Sequence, residues 1–179
     1  MNYLKRWTFG SKVNLCKDRT LARIVQFYVW ETPVPGASVR GRSFADYGWK
    51  SAPDLDAILS LFKQAGTLSD PALWACVPNR KEVHGRLTRL DRLRGFDCTF
   101  EFAVHLRNGR KVESLLRFVR NSFAHGGFRI CDYDGERYYA LENKSNGQIS
   151  GRAVLRESTL VGWESVIRNG PAPNLPKIR

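Results

Sequence analysis

The run RKVESLLRFVRNSFAHGG, residues 110–127, is the part of this chain with the least freedom. Val112, Leu115, Leu116, Val119 and Phe123 recur at a spacing of three and four, which places them on one stripe of an α-helix. Alternation, the mark of a strand, is absent over the same span. Gly126-Gly127 ends the pattern, as glycine does just past a helix. A helix with one apolar stripe must bury it, so the rest of the chain has to supply a cover.

The expected cover is mostly helical. TLARIVQFYVWE (20–31) fits helix or strand. Leu21, Ile24, Val25 and Tyr28 favour helix. Ser51 is placed to cap APDLDAILSLFKQAG, with Pro53 in its first turn, Gly66 at its end and Leu55, Ile58, Leu59 and Phe62 facing inward. Ser69 is read as capping a helix in DPALWACV, and Ser158 or Thr159 as capping a last helix, LVGWESVIRNG. FDCTFEFAVHLRNGRK begins as a helix or a short strand. After the glycines, Asp134-Gly135 between two strand-like runs signals a hairpin, and QISGRAVLRE adds a third short strand. The fold class expected is therefore mainly α, with a small β-hairpin or three-stranded sheet after the long helix. Residues 1–170 form one domain with a loop-rich insertion near 32–52, and the Pro-rich 171–179 is a tail.

Charge narrows the partners. Lys and Arg number 29 against 17 Asp and Glu, a net +12 over 179 residues. Such an excess draws polyanions, nucleic acid first and an acidic protein second. From 80 to 94 the cations Arg80, Lys81, Arg86, Arg89, Arg92 and Arg94 outweigh Glu82 and Asp91. The i+3 recurrence of Arg86, Arg89 and Arg92 suits a phosphate track or a solvated helix face. Arg40 and Arg42 lie among aromatics in the 32–52 loop, a mix that suits RNA backbone and base contacts or a plain surface. Trp30, Trp49, Trp74 and Trp163 are too scattered for a stacking platform and read as packing residues.

Cys16, Cys76, Cys98 and Cys131 are far apart, which argues against zinc and against a disulfide framework. Buried free thiols in a cytoplasmic protein are the expectation. The first residues carry charges and no apolar signal core, and no apolar run is long enough for a membrane span. No metal or cofactor is called for: Glu113 and Asp132 make no obvious ligand cluster, and His84 and His105 read as ordinary histidines.

The long helix also carries a polar side. With Val119 at the centre of the buried stripe, Arg120 falls near 100°, Arg117 near 160°, Asn121 near 200° and His125 near 240° at about 100° per residue. Two readings share these residues. Cations in a last turn followed by glycine make a well-terminated helix. Alternatively, a histidine able to move a proton near neutral pH stands beside an arginine able to stabilise a phosphate, with Asn121 orienting either.

LRFVRNSFAHGGF resembles the signature of the HEPN superfamily: an arginine, a polar residue, three variable positions and a histidine, matched by Arg120, Asn121 and His125. The motif spans 6 residues, and the likeness of layout covers roughly 80–169. The resemblance implies a small α-helical bundle and a metal-independent endoribonuclease in which the RNA 2′-OH attacks its own phosphate. His125 would be general acid or base, Arg120 would stabilise the phosphorane and Asn121 would position it. Arg117, Arg86, Arg89, Arg92, Lys81 and Arg129 would hold RNA. The chain contains a single such motif, which implies a homodimer with a composite site. A toxin or anti-phage effector, with an antitoxin or defence partner, is the implied setting; a non-catalytic RNA-binding or scaffold protein is the alternative, and an unrelated basic helical protein the third reading. Relatives silenced by a nucleotidyltransferase partner often extend the motif to His-x-Tyr. Gly127 stands at that position here, which puts that form of control in doubt.

Overall fold

The computed structural model describes residues 14–66, 74–77, 99–103, 111–133 and 135–171, with 74–77 and 99–103 followed as backbone only. Helix α1 (Arg19–Val25) starts where Asp18 Oδ1 accepts the Leu21 amide at 2.9 Å. It continues as π-helix over Gln26–Glu31, and the wider turns bury Phe27, Tyr28 and Glu31. Helix α2 (Ala52–Ala65) carries the expected cap: Ser51 and Asp54 bond reciprocally to each other's backbone amides, and a proline sits in the first turn. Helix α3 (Lys111–Ala124) is the strongly periodic run, and all five stripe residues are buried. Helix α4 (Glu157–Asn169) closes the described chain.

The strands overturn the expectation of a mainly helical bundle. Strands β1 (Trp74–Val77), β2 (Thr99–Ala103), β3 (Phe128–Tyr133), β4 (Glu136–Ser145) and β5 (Gln148–Arg156) form one five-stranded mixed sheet in the order β1-β2-β5-β4-β3. β1 and β2 run parallel, and every other neighbouring pair is antiparallel. The architecture is α+β, with helices laid on a sheet. The physical reason lies in length. β4 runs for 10 residues and β5 for 9, enough ladder to recruit β2 on the far edge of β5. Their turn is Asn146-Gly147, both with positive φ (52° and 74°), the dipeptide that joins tightly paired strands. That pair is the sequence signal for the long hairpin.

Two further expectations are corrected. DPALWACV is not a helix where described: Trp74–Val77 pairs with β2 as a strand, since four residues of this type gain more from a sheet edge than from one helical turn. The last helix begins at Glu157, with Arg156 as cap and no side-chain capping bond. Ser158 and Thr159 therefore lie inside it. β5 runs directly into this helix, and Glu157 is held by Arg137 and Tyr139 instead.

The core lies between the helices and one sheet face, where Tyr139, Leu141, Ala153 and Leu155 are buried and Phe128 and Ile130 pack beside them. Phe62 of α2 stacks on Trp163 of α4 with centroids 4.8 Å apart. Buried aromatics keep their polar handles bonded: Trp163 Nε1 donates to the Phe62 carbonyl, Trp49 Nε1 to Ile167 and Tyr28 Oη to Leu160. Segment 32–52 is largely irregular in backbone yet supplies Val34, Ala37, Phe44 and Trp49 to this core. Of the tryptophans read as packing residues, Trp49 and Trp163 are buried, whereas Trp30 is 50% exposed. Among the described residues no helix is long and apolar enough to cross a membrane.

Candidate active site

The end of α3 is anchored on both sides. The His125 amide donates to the Asn121 carbonyl at 3.0 Å, adding one more helical bond beyond Ala124. Gly126 then turns left-handed at φ 68°. Gly127 passes so close to β4 that its carbonyl accepts from the Glu142 amide at 2.7 Å. A Cβ on Gly127 would overlap the Glu142 carbonyl oxygen. At this crossing the backbone of β4 occupies the space a side chain at 127 would need. It also fixes where α3 stops, and hence where His125 stands.

Arg120 and Asn121 are brought together. Arg120 Nη1 donates to Asn121 Oδ1 at 3.0 Å, and both side chains are half-buried. Arg120 Nε is shut away from solvent and has no hydrogen-bond partner among the described residues. His125 is exposed at the helix end. The neutral amide of Asn121 fixes the guanidinium without cancelling its charge, so Arg120 remains available to an anion. The polar side expected from the helical wheel is thus realised, with the arginine and asparagine locked and the histidine open to solvent.

The expected RNA-binding residues fare unequally. Arg117 Nη2 donates to the Pro35 carbonyl at 3.0 Å, so this cation ties the 32–52 segment to α3. Arg129 lies half-buried on β3, and its charge acts on Cys131. Lys81, Arg86, Arg89 and Arg92 lie outside the described residues, as do His84, His105 and the tail beyond 171. Cys131 is a poor nucleophile: burial pushes its thiol up, and Asp132 adds to that against the opposing pull of Arg129. The expectation of buried thiols is corrected at Cys16, which is exposed. No cluster of three or more His, Cys, Asp or Glu side chains able to hold a metal occurs among the described residues.

Beside the cluster of Glu142 with Arg152 at 2.6 Å and Lys144 at 3.0 Å, sequence reasoning missed two larger ionic networks among the described residues. In one, Arg168 Nε donates to Glu164 Oε1 at 2.8 Å and its Nη2 to Glu31 Oε2 at 2.7 Å, while Arg23 and Arg40 take the remaining carboxylate oxygens at 2.8 and 2.9 Å. In the other, Arg137 bonds Asp18 at 2.6 Å and Glu157 at 3.2 Å, and Tyr139 Oη donates to Glu157 at 2.7 Å. Burial and that bond to Glu157 push the Tyr139 phenol well up, so it stays protonated. Only Glu164–Arg168, four apart on one helix, left a signal in the sequence. The other partners come together through the fold.

The chain matches no protein-family model, no curated protein and no solved structure, so the residues at the end of α3 carry the functional argument themselves.

Proposed function

We propose that this chain is a metal-independent endoribonuclease, with Arg120, Asn121 and His125 as its working residues and a homodimer as its active form. The observation that carries this reading is the state of Arg120: held by a neutral amide, unneutralised by any carboxylate among the described residues, and about one and a half helical turns from an exposed histidine. The proposal rests on those residues and on the +12 charge, not on a helical-bundle architecture.

The chemistry asks little of the protein. A base removes the proton of the RNA 2′-OH, the oxygen attacks the adjacent phosphorus, and the bond to the 5′-oxygen breaks as an acid protonates that oxygen. A 2′,3′-cyclic phosphate and a free 5′-hydroxyl result. His125 from each of two chains supplies the base and the acid, and Arg120 stabilises the extra charge on the phosphorane. RNA brings its own nucleophile, so DNA is not cut. Such an enzyme suits a toxin or a defence effector, restrained by an antitoxin or a partner protein.

A purely structural helix end is the second reading, favoured by the regular bond from His125 to Asn121 and the left-handed Gly126. One experiment separates the two. Wild type, Arg120→Ala and His125→Ala are expressed in a bacterial host and scored for growth and total-RNA integrity, then assayed on RNA in EDTA. The ribonuclease reading expects growth arrest and RNA decay from the wild type alone. Toxicity that survives both substitutions sinks it, and a monomer in sedimentation at high concentration counts against the composite site. RNA binding without cleavage by the wild type moves the chain to a binding or scaffold role.

A further inference from the structure

A pocket of about 230 Å³ opens where the start of α2 meets the 32–52 segment and α3. It is smaller than the ~300–1,000 Å³ of sites that take drug-sized molecules, and has room for one flat ring system. Pro33, Pro35, Phe44, Trp49 and Leu55 form its apolar walls. The walls are set in advance: Trp49 Nε1 donates to the Ile167 carbonyl at 3.0 Å, and Phe44 and Leu55 belong to the core. Glu113 of α3 also lines the pocket, with only 6% of its surface exposed. The exposed Lys50 lines it too. Arg117, one turn along α3 from Glu113, bonds the carbonyl of Pro35 at 3.0 Å, so a second cation stands beside the same wall.

A carboxylate among apolar walls selects for N–H donors. It has about four acceptor sites, so it receives two parallel donors and keeps its bonds within the protein. Two flat groups present such a pair: a guanidinium and the Watson–Crick edge of guanine. On a chain of net +12, with Lys50 and Arg117 at the pocket, a cationic ligand is repelled and one that carries phosphate is drawn in. Guanine is also the one RNA base with two adjacent donors, N1–H and the N2 amino group. Adenine and cytosine place a ring acceptor beside their amino group, and uracil places a carbonyl on each side of N3–H. Each of these sets a lone pair against the carboxylate. Ser51 extends the match: its Oγ accepts the Asp54 amide at 3.3 Å and keeps its own proton to donate, as guanine O6 requires.

We infer that this pocket binds a guanine base, with Glu113 accepting from N1–H and N2–H and Lys50 meeting the phosphate. The inference stands on the pocket and does not need the ribonuclease reading. Where both hold, cleavage falls close to a guanine, because Glu113 and Arg120 are about 10 Å apart along α3. The test titrates the full chain calorimetrically with guanosine 5′-monophosphate, adenosine 5′-monophosphate and free arginine. The guanine nucleotide binds about tenfold more tightly than the adenine one, and arginine does not bind. Glu113→Gln removes that preference, since one of its two acceptors becomes a donor. Ala45 is exposed and lines the pocket, so Ala45→Trp fills it at the parent melting temperature and carries the test even if Glu113→Gln fails to fold. Equal affinity for the two nucleotides overturns the inference. So does a guanine preference that survives both variants, or binding of arginine in place of the nucleotide. RNAs of about ten nucleotides with a single guanine or adenine at one position, added to His125→Ala, separate the sources of the base. Guanine-dependent binding tighter than that of the mononucleotide assigns the pocket to a strand, and equal binding assigns it to a free nucleotide. Both uphold the pocket whether or not the wild type cleaves RNA.

Discussion

Arg168 and Arg120 both stand near the end of a helix, and they meet opposite surroundings. Arg168 lies over the Phe27 ring and bonds two carboxylates, Glu31 and Glu164, that are only 8% and 2% exposed. Each of those acids has a second arginine, so three arginines share two carboxylates and the network ties together α1, α4 and the 32–52 segment. Arg120 meets one amide oxygen and keeps an unpartnered Nε among the described residues. The contrast separates arginines that hold the fold from one whose charge is left over. A buried ion pair that loses one member strands the other, whereas an arginine held by an amide strands nothing when removed.

Substituting each arginine in turn breaks the comparison most directly. Arg120→Ala is expected to lower RNA cleavage about a thousandfold, in the range for losing a transition-state cation, while stability falls by about 1 kcal/mol or less, the worth of its one hydrogen bond. Arg168→Ala is expected to do the reverse. It leaves Glu31 and Glu164 with one arginine each and costs about 2 kcal/mol, less than for a fully buried pair because Arg168 itself is 37% exposed. Cleavage per folded molecule stays at the wild-type level. Urea unfolding and single-turnover cleavage of one RNA check both arms. If Arg120→Ala unfolds the protein as readily as Arg168→Ala does, the distinction fails.

The crossing of Gly127 over β4 gives a second, smaller effect. Gly127→Ala forces a Cβ into the Glu142 carbonyl oxygen, which belongs to backbone and cannot swing aside. An overpacking cost of about 1–3 kcal/mol follows, with a lower melting temperature. Because the same crossing sets where α3 ends, cleavage falls as well, through a displaced His125. Gly126→Ala meets open space and only pays for its positive φ, so it is the milder change by calorimetry. Equal losses for the two would remove the steric account of why glycine stands at 127.

The sequence made α3 and its polar side readable because both depend on local periodicity. Buried Val112, Leu115, Leu116, Val119 and Phe123 are all within one helix, and so is the Arg120–Asn121 bond. The cap of α2 was legible for the same reason. The sheet was not, because β2 adds to β5 across about fifty residues of chain and no local pattern states that pairing. Asn146-Gly147 was a local signal for the β4–β5 turn, and it marks ladders longer than a small hairpin. Trp30 was read as a packing residue because the tryptophans are scattered along the chain; the shift to π-helix at Gln26 decides which aromatics of its segment face inward. The Glu31–Arg168 pair joins residues 137 apart and leaves no trace in spacing.

The smallest effect follows from acid. Burial alone would raise the Glu31 carboxyl, but the bonds from Gln26 and Arg168 and the charges of Arg168 and Arg40 outweigh it and hold the group below its ordinary 4.5. A carboxyl depressed in the folded state binds its proton more weakly there than in the unfolded chain. Its contribution is therefore complete above about pH 4.5, where both states are ionised. It declines as pH falls below 4.5 and is gone once the folded-state group has also titrated. Glu31→Gln removes this dependence, keeping an acceptor for Arg168 without the charge. The variant is less stable than wild type at pH 7, and the gap narrows as pH drops through that window. Arg120 supplies the contrast: with no carboxylate partner among the described residues, Arg120→Ala leaves the slope of stability against pH below 4.5 as in the wild type. Urea midpoints at closely spaced pH values between 3 and 7 read both slopes. A constant gap for Glu31→Gln across that range would mean that the carboxylate charge is not what Arg168 and Arg40 are holding.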